Sequence, residues 1–170
     1  MCIRDSGYID SVLIEGKDYR GIDTALISRF NIIDSKLHYI KFSGEFEGRD
    51  TRPILDATLE INGEKLKIYN VHFPSGFHDV SMRIDSLDVL SGLLNRHNYP
   101  TIALGDFNVN TKEDNKLNIY KSQEVSGVLL IFMHAMIVKA LIITTMAKHG
   151  SFWILYFCLK AEEFHTSKTQ

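Results

Sequence analysis

The sequence predicts an α/β domain in which sheets are covered by helices. Three observations carry this. Two alternating runs, 53–61 and 65–71, are joined by Asn62-Gly63, the strongest short-range hairpin signal. Residues 80–96 place Met82, Ile84, Leu87, Leu90, Leu93 and Leu94 near helical spacing, with Asp79 or Ser81 as the N-cap. An apolar run, 99–104, then breaks into Gly105-Asp106-Phe107-Asn108. Hairpins come first and a helix and strand follow, which favours sheets with helical cover over a plain parallel fold.

The earlier elements are shorter. Residues 8–14 form an apolar run closed by Glu15-Gly16-Lys17-Asp18, a turn signal. Residues 22–28 alternate Ile22, Thr24 and Leu26 against Asp23, Ala25 and Ile27, and read as a strand. A further strand is expected over 37–42.

The chain has 170 residues, enough for one domain with a proper core. Its formal charge of −2 gives no bulk basic character for nucleic acid or membrane binding. Cys2 and Cys158 lie at opposite ends, which excludes a disulfide framework and a zinc-ligand spacing. No linker, internal repeat or charge block divides the chain. The sequence leaves the compartment open.

Composition changes near Glu124. Residues 127–146 are apolar apart from His134, Lys139, Thr144 and Thr145, and a second apolar run covers 152–159. A run of roughly 20 apolar residues has transmembrane length. This gives one reading of the tail, a helical membrane anchor on a non-enzymatic interaction protein with a span at 127–146. Lys139 and His134 weigh against it, because charge at mid-bilayer is expensive.

The chemistry is concentrated at strand ends. In Asn70-Val71-His72-Phe73-Pro74-Ser75, Asn70 and His72 share one side of an extended chain. A His at a strand mouth can protonate or hydrogen-bond a phosphoryl oxygen. Arg20 opens the strand at 22–28 and Arg52 opens the next; each can form a forked contact to phosphate or an ordinary surface ion pair. Asp106 and Asn108, two residues apart, point the same way and can hold a metal or a phosphate oxygen; the bland alternative is an Asp-capped turn.

Taken in order, Arg20-Gly21-Ile22-Asp23, Arg52-Pro53, Asn70 to Ser75, the helix with Arg83 near its start, and Gly105 to Asn108 resemble the endonuclease/exonuclease/phosphatase superfamily. That group includes deoxyribonuclease-like enzymes, abasic-site endonucleases, sphingomyelinases and inositol-polyphosphate phosphatases. The match runs from Gly7 to Asn110. The resemblance implies a partial four-layer α/β sandwich, two mixed sheets flanked by helices. It implies hydrolysis of a phosphodiester or phosphomonoester by an activated water, with Mg²⁺ or Mn²⁺ as cofactor. The substrate would be a nucleic acid, a phosphorylated small molecule or a lipid, and no specific protein partner is implied. His72 matches the His that contacts the scissile phosphate, Asp106 the Asp that orients or deprotonates the water, and Asn108 the Asn that binds a phosphoryl oxygen. Asp106 is the candidate metal ligand, and Arg20 and Asn70 are candidate phosphate contacts.

The family pattern is incomplete in this chain. Its metal-binding Glu falls upstream of Gly7, and nothing in 128–170 matches its late Asp or its terminal Asp-His pair. Met1-Cys2-Ile3-Arg4-Asp5-Ser6 resembles the translation of a transposon mosaic end used in library adapters. Reading the codons of 139–160 one base earlier permits a peptide resembling the family's late-Asp segment. A Gly is forced there by Met146-Ala147 and an Asp by Trp153-Ile154. The expectation is therefore an adapter scar over 1–6, a partial domain over 7–124, and an out-of-frame tail over 125–170. The nucleotide sequence tests it.

Overall fold

The computed structural model describes residues 7–94, 96, 98–110 and 112–113, and the backbone of 128–132, 144–148 and 151–155. The expected adapter residues 1–6, the start of the expected out-of-frame tail at 125–127, and His134 lie outside the described residues.

Strands β1 (Asp10–Leu13) and β2 (Ala25–Ser28) form a two-stranded antiparallel sheet. A second sheet has the order β3-β4-β5-β6-β7, from β3 (Asn31–His38), β4 (Ile54–Ile61), β5 (Glu64–His72), β6 (Thr101–Asp106) and β7 (Val128–Phe132). Its first three strands are antiparallel, and β5, β6 and β7 are parallel, so the sheet is mixed. Helix α1 (Val80–Leu94) makes the crossover from β5 to β6. Strands β8 (Thr144–Lys148) and β9 (Ser151–Leu155) form a separate hairpin.

Each face of the large sheet has its own core. Ile54, Tyr69, Val71 and Ala103 pack on one side against Met82, Leu87, Leu90, Leu93 and Leu94 of α1. On the other, Leu55, Ala57, Leu66, Ile68, Ile102 and Leu104 pack against Leu26 of β2 and Val12 of β1. The expected α/β sandwich is present, with sheet on sheet and helix on sheet.

Local chemistry explains the agreement. Asn62 and Gly63 have φ of 53° and 83°, the left-handed pair that a tight hairpin turn requires. Asp79 caps α1 by accepting the Ser81 N–H at 2.9 Å. Arg83 and Ser86 join the buried stripe of the helix, where the spacing reading had Ile84.

Two expectations are corrected. The strand read at 37–42 runs instead from Asn31 to His38, because a register shift between Ile32 and Asp34 breaks the alternation on which strand reading depends. The tail, read as helical, supplies strands at each described stretch. Val128–Phe132 pairs with β6, whose parallel edge offers unsatisfied N–H and C=O groups to any extended apolar segment. Among the described residues no helix is long and apolar enough to cross a membrane.

Candidate active site

Parallel pairing of β5 and β6 sets His72 opposite Asp106 and Asn70 opposite Leu104. Since Ile68, Ile102 and Leu104 face β2, alternation places Asn70, His72 and Asp106 on that same inter-sheet face. The site thus lies at the carboxyl ends of two adjacent parallel strands, where side chains emerge from the sheet.

Gly105 makes this approach possible. Its φ is +122°, and a Cβ there would lie 2.0 Å from the Val71 carbonyl oxygen. No other residue allows β6 this close to β5. Beyond it, Asp106 Oδ1 accepts the Asn108 N–H at 2.9 Å, and its main-chain oxygen accepts the Phe73 N–H at 2.8 Å. Asn108 adopts φ of 52° and donates its amide to the Phe73 carbonyl at 2.8 Å. Phe107 turns to the helix side and meets Phe73 edge to face, with centroids 5.4 Å apart.

The His72-Phe73 backbone is gripped from below by Arg52, which is 3% exposed. Its Nε donates to the His72 carbonyl at 2.8 Å and a terminal nitrogen to the Phe73 carbonyl at 2.7 Å. Asp18 lies 3.6 Å from Arg52 and binds Arg20 through both carboxylate oxygens at 3.1 Å. A chain of contacts therefore runs from Arg20, a third exposed at its side chain, through Asp18 and Arg52 to the His72 backbone.

The electrostatics follow from burial. Burial, then the charges of Arg52 and Arg20, push the His72 imidazole down to about 3. His72 is thus neutral at ordinary pH. It can donate one hydrogen bond to a phosphoryl oxygen, but it is not a ready proton donor. Its Nδ1 is buried and has no hydrogen-bond partner. Burial and the neighbouring Arg20 bring Arg52 down to about 10, while Asp18 and Asp106 oppose the shift. Burial raises the Asp18 carboxyl, but hydrogen bonds from Arg20 outweigh it and hold the group below its ordinary value.

Register sets His72 opposite Asp106, and Asn108 bonds Asp106 Oδ1 through its N–H and the Phe73 carbonyl through its amide. Asn70 shares their face, but it is fully buried and its amide donates to the Ala25 carbonyl at 2.9 Å, tying the two sheets together. That donor is not presented to a phosphate. Arg52 likewise turns its fork to the His72 and Phe73 carbonyls, with Asp18 at 3.6 Å. Sequence reasoning missed Asp18; the spacing Asp18-Tyr19-Arg20, closed by Gly21 at φ +66°, is the local signal that could have found it. Among the described residues no three His, Cys, Asp or Glu side chains lie together as a metal site. Asp106 offers a single carboxylate, with Oδ1 already accepting the Asn108 N–H. Mg²⁺ is held by one or two carboxylates together with waters and substrate oxygens, so Asp106 could supply one ligand of such a shell and the other ligands would come from elsewhere.

No family profile and no curated protein sequence matches this chain. Solved structures do. SmcL aligns with 19% identity over 70% of this chain and 48% of its own, at a TM-score of 0.52. A beta toxin from Staphylococcus aureus with bound magnesium ions gives 18% identity over 72% and 51%, at a TM-score of 0.55. D. rerio TDP2, complexed with a single strand DNA product, gives 20% identity over 68% and 44%, at a TM-score of 0.51. The chain spans about half the length of these proteins. The likeness is one of fold: the described residues share the α/β sandwich of these structures.

Proposed function

We propose that this chain carries the phosphate-facing half of a phosphoester hydrolase centre. The observation that supports this best is the buried, unpartnered Nδ1 of His72 at the sheet mouth, beside Arg20, Arg52 and Asp18. A buried polar atom without a partner is costly unless a ligand completes it. An anion with several acceptor oxygens would complete this one and pair with the exposed Arg20.

Each residue then has a role that its geometry allows. Neutral His72 donates a hydrogen bond to a phosphoryl oxygen. Arg20 is the exposed cation and contacts the phosphate while Asp18 keeps its guanidinium oriented. Asp106 accepts a proton from, or orients, the attacking water. Asn108 holds the Phe73 carbonyl and so fixes the turn that presents Asp106. The ester is a phosphodiester or phosphomonoester, and the bound magnesium of the beta toxin and the DNA product of TDP2 support this class of substrate and metal-assisted hydrolysis. Mg²⁺ would supply charge neutralisation at the phosphoryl oxygens, with Asp106 as its protein ligand only where further ligands join it.

Because Asp106 is the one carboxylate that the described ends of β5 and β6 provide, hydrolysis of bis-p-nitrophenyl phosphate with Mg²⁺ is expected to stay at background. Inorganic phosphate is expected to bind saturably, and His72→Gln to remove that binding. Robust Mg²⁺-dependent hydrolysis abolished by Asp106→Asn would overturn the half-site reading. Absence of phosphate binding would overturn the assignment of the site to phosphate.

A further inference from the structure

Arg83 lies within the buried stripe of α1 and is 1% exposed. One terminal nitrogen donates to the Ser75 carbonyl at 2.9 Å and the His78 carbonyl at 3.0 Å. The other pairs with Glu113. Ser75 and His78 belong to the loop that leaves β5 directly after His72. Glu113 belongs to the segment that leaves β6 after Asn108. Glu113 is itself set in place by Asn110, whose Oδ1 accepts the N–H groups of Lys112 and Glu113 at 3.0 Å each.

A leucine at this position would anchor the helix face without burying a charge, and burying a guanidinium carries a heavy desolvation cost. What a leucine lacks is a rigid planar fork able to bind two separate segments in fixed relation. Here that fork joins the two loops that follow the candidate site's strands. We propose that Arg83 and Glu113 are positioning residues of the phosphate site, fixing the 73–79 loop against Asn110 and Glu113 beyond β6 and thereby His72 against Asp106. This rests on the phosphoester reading of the site.

The test compares Glu113→Ala and Glu113→Gln in the full chain by two readouts, inorganic-phosphate affinity and the NMR resonances of the His72 imidazole. Glu113→Ala is expected to shift the His72 resonances and to weaken phosphate binding about tenfold, as small misplacements of site groups do. Glu113→Gln still accepts from Arg83 and is expected to recover most of both. A Glu113→Ala protein with wild-type resonances and affinity overturns the proposal, even if its thermal midpoint falls. Should Glu113→Ala not fold, Arg83→Lys is measured in the same way, with the same two outcomes. If the wild-type chain binds no phosphate, the phosphoester reading fails, and the His72 resonances alone decide whether these residues position the site.

Discussion

Two groups of buried charge lie on opposite faces of the large sheet, and they differ in whether the protein completes them. On the helix side, Asp56 is 2% exposed and is satisfied from several directions. Lys67 forms an ion pair with it and donates to Thr58 at 2.9 Å, His38 approaches at 2.8 Å, and Lys36 lies 3.7 Å away. On the inter-sheet side, Arg20 and Arg52 share Asp18, and His72 Nδ1 has no partner. The first cluster is closed, as structural ion pairs are. In the second, His72 Nδ1 has no hydrogen-bond partner and the Arg20 side chain stays a third exposed. Burial alone therefore does not separate the two clusters; the Asp56 carboxylate meets basic side chains on several sides, whereas His72 Nδ1 has no hydrogen-bond partner.

The largest expected effect breaks the closed cluster. Asp56→Ala leaves Lys67 buried without its counter-ion and should cost about 3–5 kcal/mol of stability, measured by urea denaturation. Phosphate affinity of the protein that remains folded should be unchanged; a parallel loss of affinity would mean that the two clusters are not independent.

Arg52→Met comes next. It removes two charge-assisted hydrogen bonds to the carbonyls of His72 and Phe73, and a loss of about 2–3 kcal/mol is expected. Here phosphate binding should fall together with stability, because the same side chain holds the His72 backbone. Unaltered phosphate affinity in this variant would place Arg52 with the structural cluster instead.

The open cluster should also reveal itself through pH. Folded His72 stays neutral down to about pH 3, whereas the unfolded chain takes up its proton near pH 6.5. Between these values the unfolded state binds more protons. The stability linked to His72 is thus present above about pH 6.5 and is lost as pH falls toward 3, by up to ~1.4 kcal/mol per pH unit. His72→Gln should flatten that slope. An unchanged slope in denaturation midpoints from pH 7 to 4.5 would refute the assignment. Saturating phosphate should weaken the same slope in the wild type, since a bound anion favours the protonated imidazole.

The smallest effect concerns Asp18. Asp18→Asn keeps an acceptor for Arg20 while removing a negative charge. It should tighten inorganic-phosphate binding several-fold at low salt and less at high salt, as expected for a screened electrostatic gain. Weaker binding would show that orientation of Arg20 by Asp18 outweighs the charge it cancels.

Local signals carried much of the outline. The Asn62-Gly63 turn, the Asp79 cap and the break at Gly105 are properties of a few adjacent residues, so they were legible in the chain. So was the convergence of His72, Asp106 and Asn108, through the order of short motifs. The phase break at Ile32 to Asp34 hid the start of β3, because a bulge moves later side chains to the other face. The roles of Arg52, Asn70 and Arg83 were hidden more deeply. Nothing in the sequence distinguishes an arginine that reaches solvent from one whose fork meets carbonyls 20 and 21 residues away.

Near neighbours in the sequence set where strands turn, where the helix begins and which acid, amide and imidazole fall at the ends of apolar runs. These depend on backbone sterics and hydrogen bonds between near neighbours. The tertiary structure alone decided that β5 and β6 lie side by side in parallel, that His72 loses its charge there, and that Arg52 and Arg83 face inward as braces. Those outcomes depend on register and burial, and both are set by residues distant in the chain that only folding brings together.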